Sequence, residues 1–136
     1  MSGETLVRLS EVRMEAVGRR AGGGWAVQEL TLSVRPGEIY TLLGPPGSGK
    51  TTVLRLLAGF ERPDAGRILV DDTPVDGMPP WDRNIGMVFA DYALWPHMAV
   101  GENVAFGLRR RGLRGAALAR RVSETLGRVG LAGAEG

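Results

Sequence analysis

The order of apolar and polar residues divides the chain into short elements. Leu6, Arg8, Ser10 and Val12 belong to alternating stretches within residues 5–17, which predicts a strand. A basic, glycine-rich turn follows over 18–24, and alternation resumes over 26–34 at Leu30, Leu32 and Val34. Pro36-Gly37 then turns the chain into Ile39-Tyr40-Thr41-Leu42-Leu43, a continuous apolar run with β-branched and aromatic members that reads as a buried strand. Over 51–58, Val53, Leu54, Leu57 and Ala58 recur at helical spacing, and Gly59 is placed to end that helix. Residues 61–66 read as a turn, Ile68-Leu69-Val70 as a short strand, and 85–89 as another buried strand. Helical patterns run over about 100–110 and about 116–129, the second with a stripe of Leu118, Val122, Leu126 and Val129. Strands of two kinds with helices among them indicate an α/β domain carrying an antiparallel addition at its N-terminal side.

Between the apolar run at 39–43 and the helix after it lies Gly44-Pro45-Pro46-Gly47-Ser48-Gly49-Lys50-Thr51. This is the spelling G-x-x-x-x-G-K-[ST] of the phosphate-binding loop, in the strand–loop–helix context that the motif requires. Gly44, Gly47 and Gly49 let the backbone adopt left-handed conformations and approach a ligand closely. The amides of residues 47–52 are then able to converge on phosphate oxygens, helped by the positive end of the helix dipole. Lys50 is expected on the β- and γ-phosphates, the Thr51 hydroxyl on Mg²⁺, and Thr52 on the α-phosphate. Pro45, Pro46 and Ser48 fill variable positions, and the two prolines stiffen the loop. The expected ligands are therefore ATP and Mg²⁺. Lys50 is the single lysine among seventeen long cations, which strengthens the motif over a chance glycine-rich turn in a chain holding 21 glycines.

Composition narrows the classes. With 136 residues and 43% hydrophobic content, one domain with a moderate core is expected, and disorder is not. Neither a membrane-spanning run nor a basic-then-apolar leader is visible. The absence of cysteine removes disulfides, thiolate nucleophiles and zinc-thiolate sites. Residues 108–136 hold Arg109, Arg110, Arg111, Arg114, Arg120, Arg121 and Arg128 against Glu124 and Glu135. Aromatics for base stacking are missing there, so a solvated helix face is favoured and nucleic acid is not an expected partner.

Hydrolysis needs more than a phosphate loop: an acid to help hold Mg²⁺ and a group that positions water. Asp71 and Asp72 end one apolar run, but Pro74 and the short distance from the loop helix favour a hairpin turn. Asp91 ends another, with a place near the γ-phosphate conceivable and direct metal ligation less favoured. His97, the only histidine, has no identified partner and reads as part of an irregular connection. No catalytic residue is assigned.

Several stretches together resemble the ATP-binding subunit of ABC importers, closest to the group that powers uptake of polyamines, sulfate, iron or sugars. They are Val34-Arg35-Pro36-Gly37-Glu38, the loop with Leu42, Leu43 and Thr52, Leu54-Arg55-Leu56-Leu57-Ala58-Gly59, and Asp64-Ala65-Gly66-Arg67-Ile68. Further on come Arg83-Asn84-Ile85-Gly86-Met87-Val88-Phe89, Asp91-Tyr92-Ala93-Leu94-Trp95-Pro96-His97-Met98 and Val100-Gly101-Glu102-Asn103-Val104-Ala105-Phe106-Gly107-Leu108. The resemblance implies a P-loop NTPase core, a partial parallel sheet with helices, plus an N-terminal antiparallel β subdomain, ending before the family's signature motif. The implied divisions are 1–38, mainly antiparallel β; 39–90, the loop core and a β-hairpin; and 91–136, the Q-loop region and the start of a helical subdomain. The implied activity is ATP hydrolysis coupled to solute import on the cytoplasmic face of the membrane. The implied partners are membrane-spanning subunits, touched from residue 92 onward, and a second ATP-binding subunit.

Departures from the family pattern bear on that activity. The Q-loop glutamine, understood to contact Mg²⁺ and the attacking water, is replaced by Ala90. The aromatic expected to stack on adenine near position 21 is Ala21, and Trp25 is the nearest ring that could substitute. The signature, the second acidic strand with its glutamate, and the switch histidine are not found in this stretch. The expectation is therefore an importer ATPase represented by its N-terminal half, binding MgATP but hydrolysing it poorly; the alternative is an inactive nucleotide-binding module.

Overall fold

The computed structural model describes residues 10–136, so Leu6 and Arg8 of the first predicted strand lie outside the described residues. The chain forms two compact units, divided between Met87 and Val88.

In the first unit, β1 (Val12–Ala21) and β2 (Gly24–Val34) pair antiparallel from Val12 opposite Val34 to Ala21 opposite Gly24. The residues between them, Gly22 and Gly23, have φ of 58° and 84°. Two positive φ values make the type I′ turn, whose twist matches that of the strands it joins. Both strands depart from strict alternation. Met14 and Val17 are three residues apart yet both buried, because Ala16 takes φ 49° where the register shifts. Glu29 adopts the same φ on β2, and Val27 and Leu30 then face one core. A bulge adds one residue and so returns the next side chain to the buried face.

The other edge of β1 carries β3 (Ala65–Val70), with Met14 opposite Ile68, and β4 (Thr73–Pro74) follows through a tight hairpin. The sheet order is β2-β1-β3-β4. Asp71 and Asp72 form the turn with φ of 46° and 61°, a conformation that aspartate tolerates better than most residues. The Asp71 carboxylate accepts hydrogen bonds from Ser10 Oγ at 2.8 Å and Glu11 N at 2.9 Å, and Asp72 accepts one from Arg13 at 2.6 Å. These acids therefore serve the hairpin.

Helix α1 (Lys50–Ala58) buries Val53, Leu56 and Ala58. The first two join Met14, Val17, Val27, Ile68 and Val75 in the core. The apolar stripe is centred on Leu56, not Leu54, which is exposed. Gly59 ends the helix at φ 87°, and its amide bonds back to Leu56 O. Its missing side chain also makes room for Arg83, whose Nε would lie 2.6 Å from a Cβ there.

Arg83 is 6% exposed, the one buried charged residue among those described. Nη1 donates to Leu56 O at 2.8 Å and Leu57 O at 2.9 Å, Nε to Met78 O at 2.9 Å, and Nη2 to Asp76 O at 3.4 Å. Desolvation lowers its pKa from the ordinary guanidinium value, opposed by the field of Asp76. The cation sits at the negative end of α1, where a positive charge is favourable.

The sequence expectation also differs from the structure in its strands: β1 and β2 extend into the stretch expected as a turn over 18–24 and leave only Gly22 and Gly23 between them. Residues 39–43 and 85–89 are not strands, and all pairings among the described residues are antiparallel. The α/β class stands, but its parallel part is not formed here. A strand persists through the ladder it makes with a neighbour, and neither segment has one in this sheet. Ile39 is 94% exposed and Leu43 88%.

The second unit is a helical hairpin of α2 (Val100–Arg110) and α3 (Gly115–Arg128), with Ala105, Val122 and Leu126 buried between them. The connection before α2 is held by Asn103, whose Oδ1 accepts from Trp95 N and whose Nδ2 donates to the carbonyls of Trp95, Met98 and Ala99. The Trp95 and Phe106 rings lie 4.1 Å apart. The arginines counted above are all exposed.

Truncating Ile68, fully buried, to alanine should lower the unfolding free energy by about 2–5 kcal/mol. Ile39→Ala should stay within about 0.5 kcal/mol. Urea denaturation followed by circular dichroism compares the two, and equal losses would contradict this placement of the core.

Candidate functional site

The glycine-rich loop wraps the start of α1 and rests on β2. Gly47 and Gly49 have φ of 80° and 86°, values at which a side chain is strained. Gly49 is also closed by its surroundings: a Cβ there would lie 2.3 Å from Ala26 O and 3.3 Å from Val27 Cγ2. At Gly44 a Cβ would meet Ser48 Oγ at 2.7 Å. Pro45 O accepts from Ser48 N at 3.2 Å, which closes the bend through Pro46 and Gly47.

Gly49 is the N-cap of α1, and no side chain caps that terminus. The first intrahelical bond of this end runs from Val53 N to Gly49 O at 2.9 Å. The amides of Lys50, Thr51 and Thr52 precede it and so have no acceptor within the helix. No acidic residue stands in the first turn. An anion is what such a terminus is built to receive.

Lys50 bends back over the loop. Its Nζ donates to Gly44 O at 2.8 Å, Pro45 O at 2.7 Å and Ser48 Oγ at 3.2 Å. An ammonium has three donors, and three acceptors fix its position. Gly47, Ser48, Gly49, Lys50, Thr51 and Thr52, together with Ala26, line a concavity of about 160 Å³. The expected loop residues are thus brought together, with Gly44 and Pro45 acting through carbonyls that hold the ammonium. A wider apolar hollow of about 590 Å³ adjoins Lys50 and Thr51 and is walled by Met14, Leu32, Tyr40 and Leu57 among others.

Ala26 was not indicated by the sequence. Its part depends on β2 lying against the loop, and no local spacing encodes that contact. Trp25, one residue before it, is 42% exposed and does not line the concavity. The Arg20 guanidinium lies 4.7 Å from its ring centroid, a cation–π pair across the hairpin. Asp91, His97 and Ala90 are all exposed. Among the described residues no group of three or more His, Cys, Asp or Glu is arranged to hold a metal ion. Among the described residues no helix is long and apolar enough to cross a membrane.

A family model described as ABC transporter matches residues 27–135. The chain is 48% identical over 124 residues to the spermidine/putrescine import ATP-binding protein PotA of Rubrobacter xylanophilus, covering 91% of this chain and 33% of that protein. It is 47% identical over 129 residues to the Fe(3+) ions import ATP-binding protein FbpC of Brucella suis, covering 95% of this chain and 36% of that protein. The chain therefore spans about a third of the length of these curated relatives. Among solved structures, the dimeric post-hydrolysis state of the ATP-binding cassette MJ0796 bound to ADP and Pi matches with a TM-score of 0.75 at 26% identity, covering 85% of this chain and 56% of that one.

Two alanine substitutions separate strain from contact. Gly47→Ala meets no atom within 4 Å and should lose only the left-handed preference, about 1–2 kcal/mol. Gly49→Ala meets the backbone of Ala26 as well and should lose at least about 1 kcal/mol more. Urea midpoints of the two variants check this, and a Gly49→Ala chain as stable as Gly47→Ala would refute the close approach.

Proposed function

The chain belongs to the ABC transporter family, and from that premise we propose that it binds MgATP at residues 44–52 as the nucleotide-binding part of an importer's ATP-binding subunit. The observation that carries the reading is the uncapped positive end of α1 joined to the three-point anchorage of Lys50. Gly44, Pro45, Pro46, Gly47, Ser48 and Gly49 shape the bend. The amides of 47–52 take the phosphate oxygens, and Lys50 moves part of its hydrogen bonding from the loop carbonyls to the β- and γ-phosphates.

Mg²⁺ fits this donor set. It prefers oxygen ligands, keeps several waters and is often completed by substrate phosphates, so the protein need supply few ligands. Thr51 offers one hydroxyl at the concavity. The base of the nucleotide is proposed to stack on Trp25, beside Ala26. Arg20 lies against that ring and Gly18 packs close to its edge, so the 42% of Trp25 left exposed is the surface proposed for the purine.

The partners proposed are membrane-spanning transporter subunits and a second ATP-binding subunit, on the cytoplasmic face of the membrane. The import proteins named above support the first and the dimeric cassette supports the second. The exposed Tyr92 and Leu94 give the segment after Ala90 apolar surface for a membrane-subunit contact.

A second reading, a nucleotide-binding module without hydrolysis, is favoured by a specific observation. Among the described residues no carboxylate lines the concavity, and Ala90 has no polar group with which to orient water. The 136-residue chain is accordingly proposed to bind ATP and turn it over slowly.

Titration with a fluorescent ATP analogue in Mg²⁺ should saturate, and Lys50→Ala should weaken binding at least tenfold, about 1.4 kcal/mol. Phosphate release by the parent should stay near that of Lys50→Ala. Lys50-dependent turnover at a typical enzymatic rate of about 10 s⁻¹ would refute the second reading, and binding unaffected by Lys50→Ala would refute both. Trp25→Ala should weaken ATP but not inorganic triphosphate; equal binding of ATP by parent and variant would remove Trp25 from the site.

A further inference from the structure

Arg83 joins two segments of the first unit through one planar group. Two of its hydrogen bonds end on Leu56 O and Leu57 O, in the last turn of the helix whose first turn forms the concavity. The other two end on Met78 O and Asp76 O, in the segment after β4. Its own backbone amide bonds to Pro80 O, closing the short 3-10 helix Pro80–Asp82, and Asn84 after it takes φ 51°. The guanidinium thus clamps the C-terminal end of α1 to the segment 76–78 that precedes it. Gly59 gives it space, since a Cβ there would meet Nε, Cζ and Cδ at 2.6, 2.9 and 3.1 Å.

No carboxylate accepts from this guanidinium: all four acceptors are main-chain carbonyls. A simple ion pair would tie Arg83 to one side chain, whereas carbonyl contacts tie it to backbone position. Lysine cannot replace it, because one ammonium point lacks the fork that reaches separated acceptors. The helix of nine residues, roughly 13 Å long at about 1.5 Å per residue, carries the phosphate loop at one end and the clamp at the other. Such a short rod transmits displacement of one end to the other.

We propose that Arg83 is a positioning residue for nucleotide binding, fixing α1 from its far end so that the amides of 47–52 keep their convergence, and tying nucleotide occupancy to residues 76–86. The inference rests on the reading of 44–52 as an ATP site and adds a residue that does not touch the nucleotide.

The test uses the full chain with a fluorescent ATP analogue in Mg²⁺. Arg83→Lys and Arg83→Gln should bind about tenfold more weakly than the parent, within the range that remote misplacement of a binding group can produce. Leu69→Ala, the truncation of a buried β3 residue outside the cluster that α1 joins, serves as the control for lost stability. If Leu69→Ala lowers the melting temperature as much and still binds like the parent, the loss at Arg83 is positional. If the Arg83 variants bind like the parent, or no more weakly than Leu69→Ala at matched stability, the proposal is overturned. Amide exchange on the parent requires no variant to fold. MgATP should slow exchange at Met78, Arg83 and Gly86 as well as at 47–53; protection confined to the loop would overturn the coupling. A parent that shows no Lys50-dependent ATP binding overturns the nucleotide reading itself, an outcome distinct from either.

Discussion

The closest constraint in the first unit is the approach of Gly49 to the carbonyl of Ala26. Nothing larger than a hydrogen fits on that α-carbon, since a methyl group would stand 2.3 Å from the oxygen. Three features follow from this contact. It seats the loop against β2 and brings Ala26 into the wall of the concavity. It places the left-handed residue at the N-cap, so that α1 begins at Lys50 and its first amides face no helical acceptor. It also sets the helix down where Val53 and Leu56 reach Met14, Val17 and Ile68. The hydrophobic face of α1 and its anion-binding end are therefore positioned by the same missing side chain.

The electrostatics of the helix are arranged from both ends. A helix terminus carries the equivalent of about half an elementary charge. At the N-terminal end Lys50 adds a full charge of the same sign, an arrangement that three oxygen acceptors make tolerable. With no carboxylate among the described residues that line the concavity, the loop concentrates about one and a half positive charges. At the other end Arg83 stands where the dipole is negative. The arginine is satisfied within the fold, and the lysine is held by groups that a phosphate can replace. This difference separates a structural cation from one proposed to bind a ligand, though both are bonded to backbone carbonyls.

The sequence disclosed what is local. Helices at 100–110 and 116–129, the break at Gly59 and the Asp71-Asp72 turn are set by spacing and turn chemistry within a few residues, and the elements found agree closely. The loop was legible for the same reason, since its glycines, lysine and threonines act on a single bend. Strand phase was less accessible: the bulges at Ala16 and Glu29 shift which side chains are buried, and neither residue type announces a left-handed φ. Residues 39–43 and 85–89 have strand composition but no ladder in this sheet, because pairing is a property of two segments and composition of one. Ala26 and Arg83 were missed for a related reason. Each acts through backbone carbonyl contacts with a segment distant in sequence, Ala26 about 23 residues from Gly49 and Arg83 about 27 from Leu56.

The same distinction bears on function. Gripping a triphosphate is a task for consecutive residues: the amides, the ammonium and the Thr51 hydroxyl all come from one turn of loop and helix. Hydrolysis assembles groups that are not consecutive, an acid near the metal and a polar group near the water. On the proposed reading, Ala90 removes one candidate for the second part, while the hydrogen bonds that shape the loop are local to residues 44–53. Substitution at position 90 would then act on turnover and leave affinity to the loop. Binding and hydrolysis would be physically separable, along the boundary between local and long-range structure.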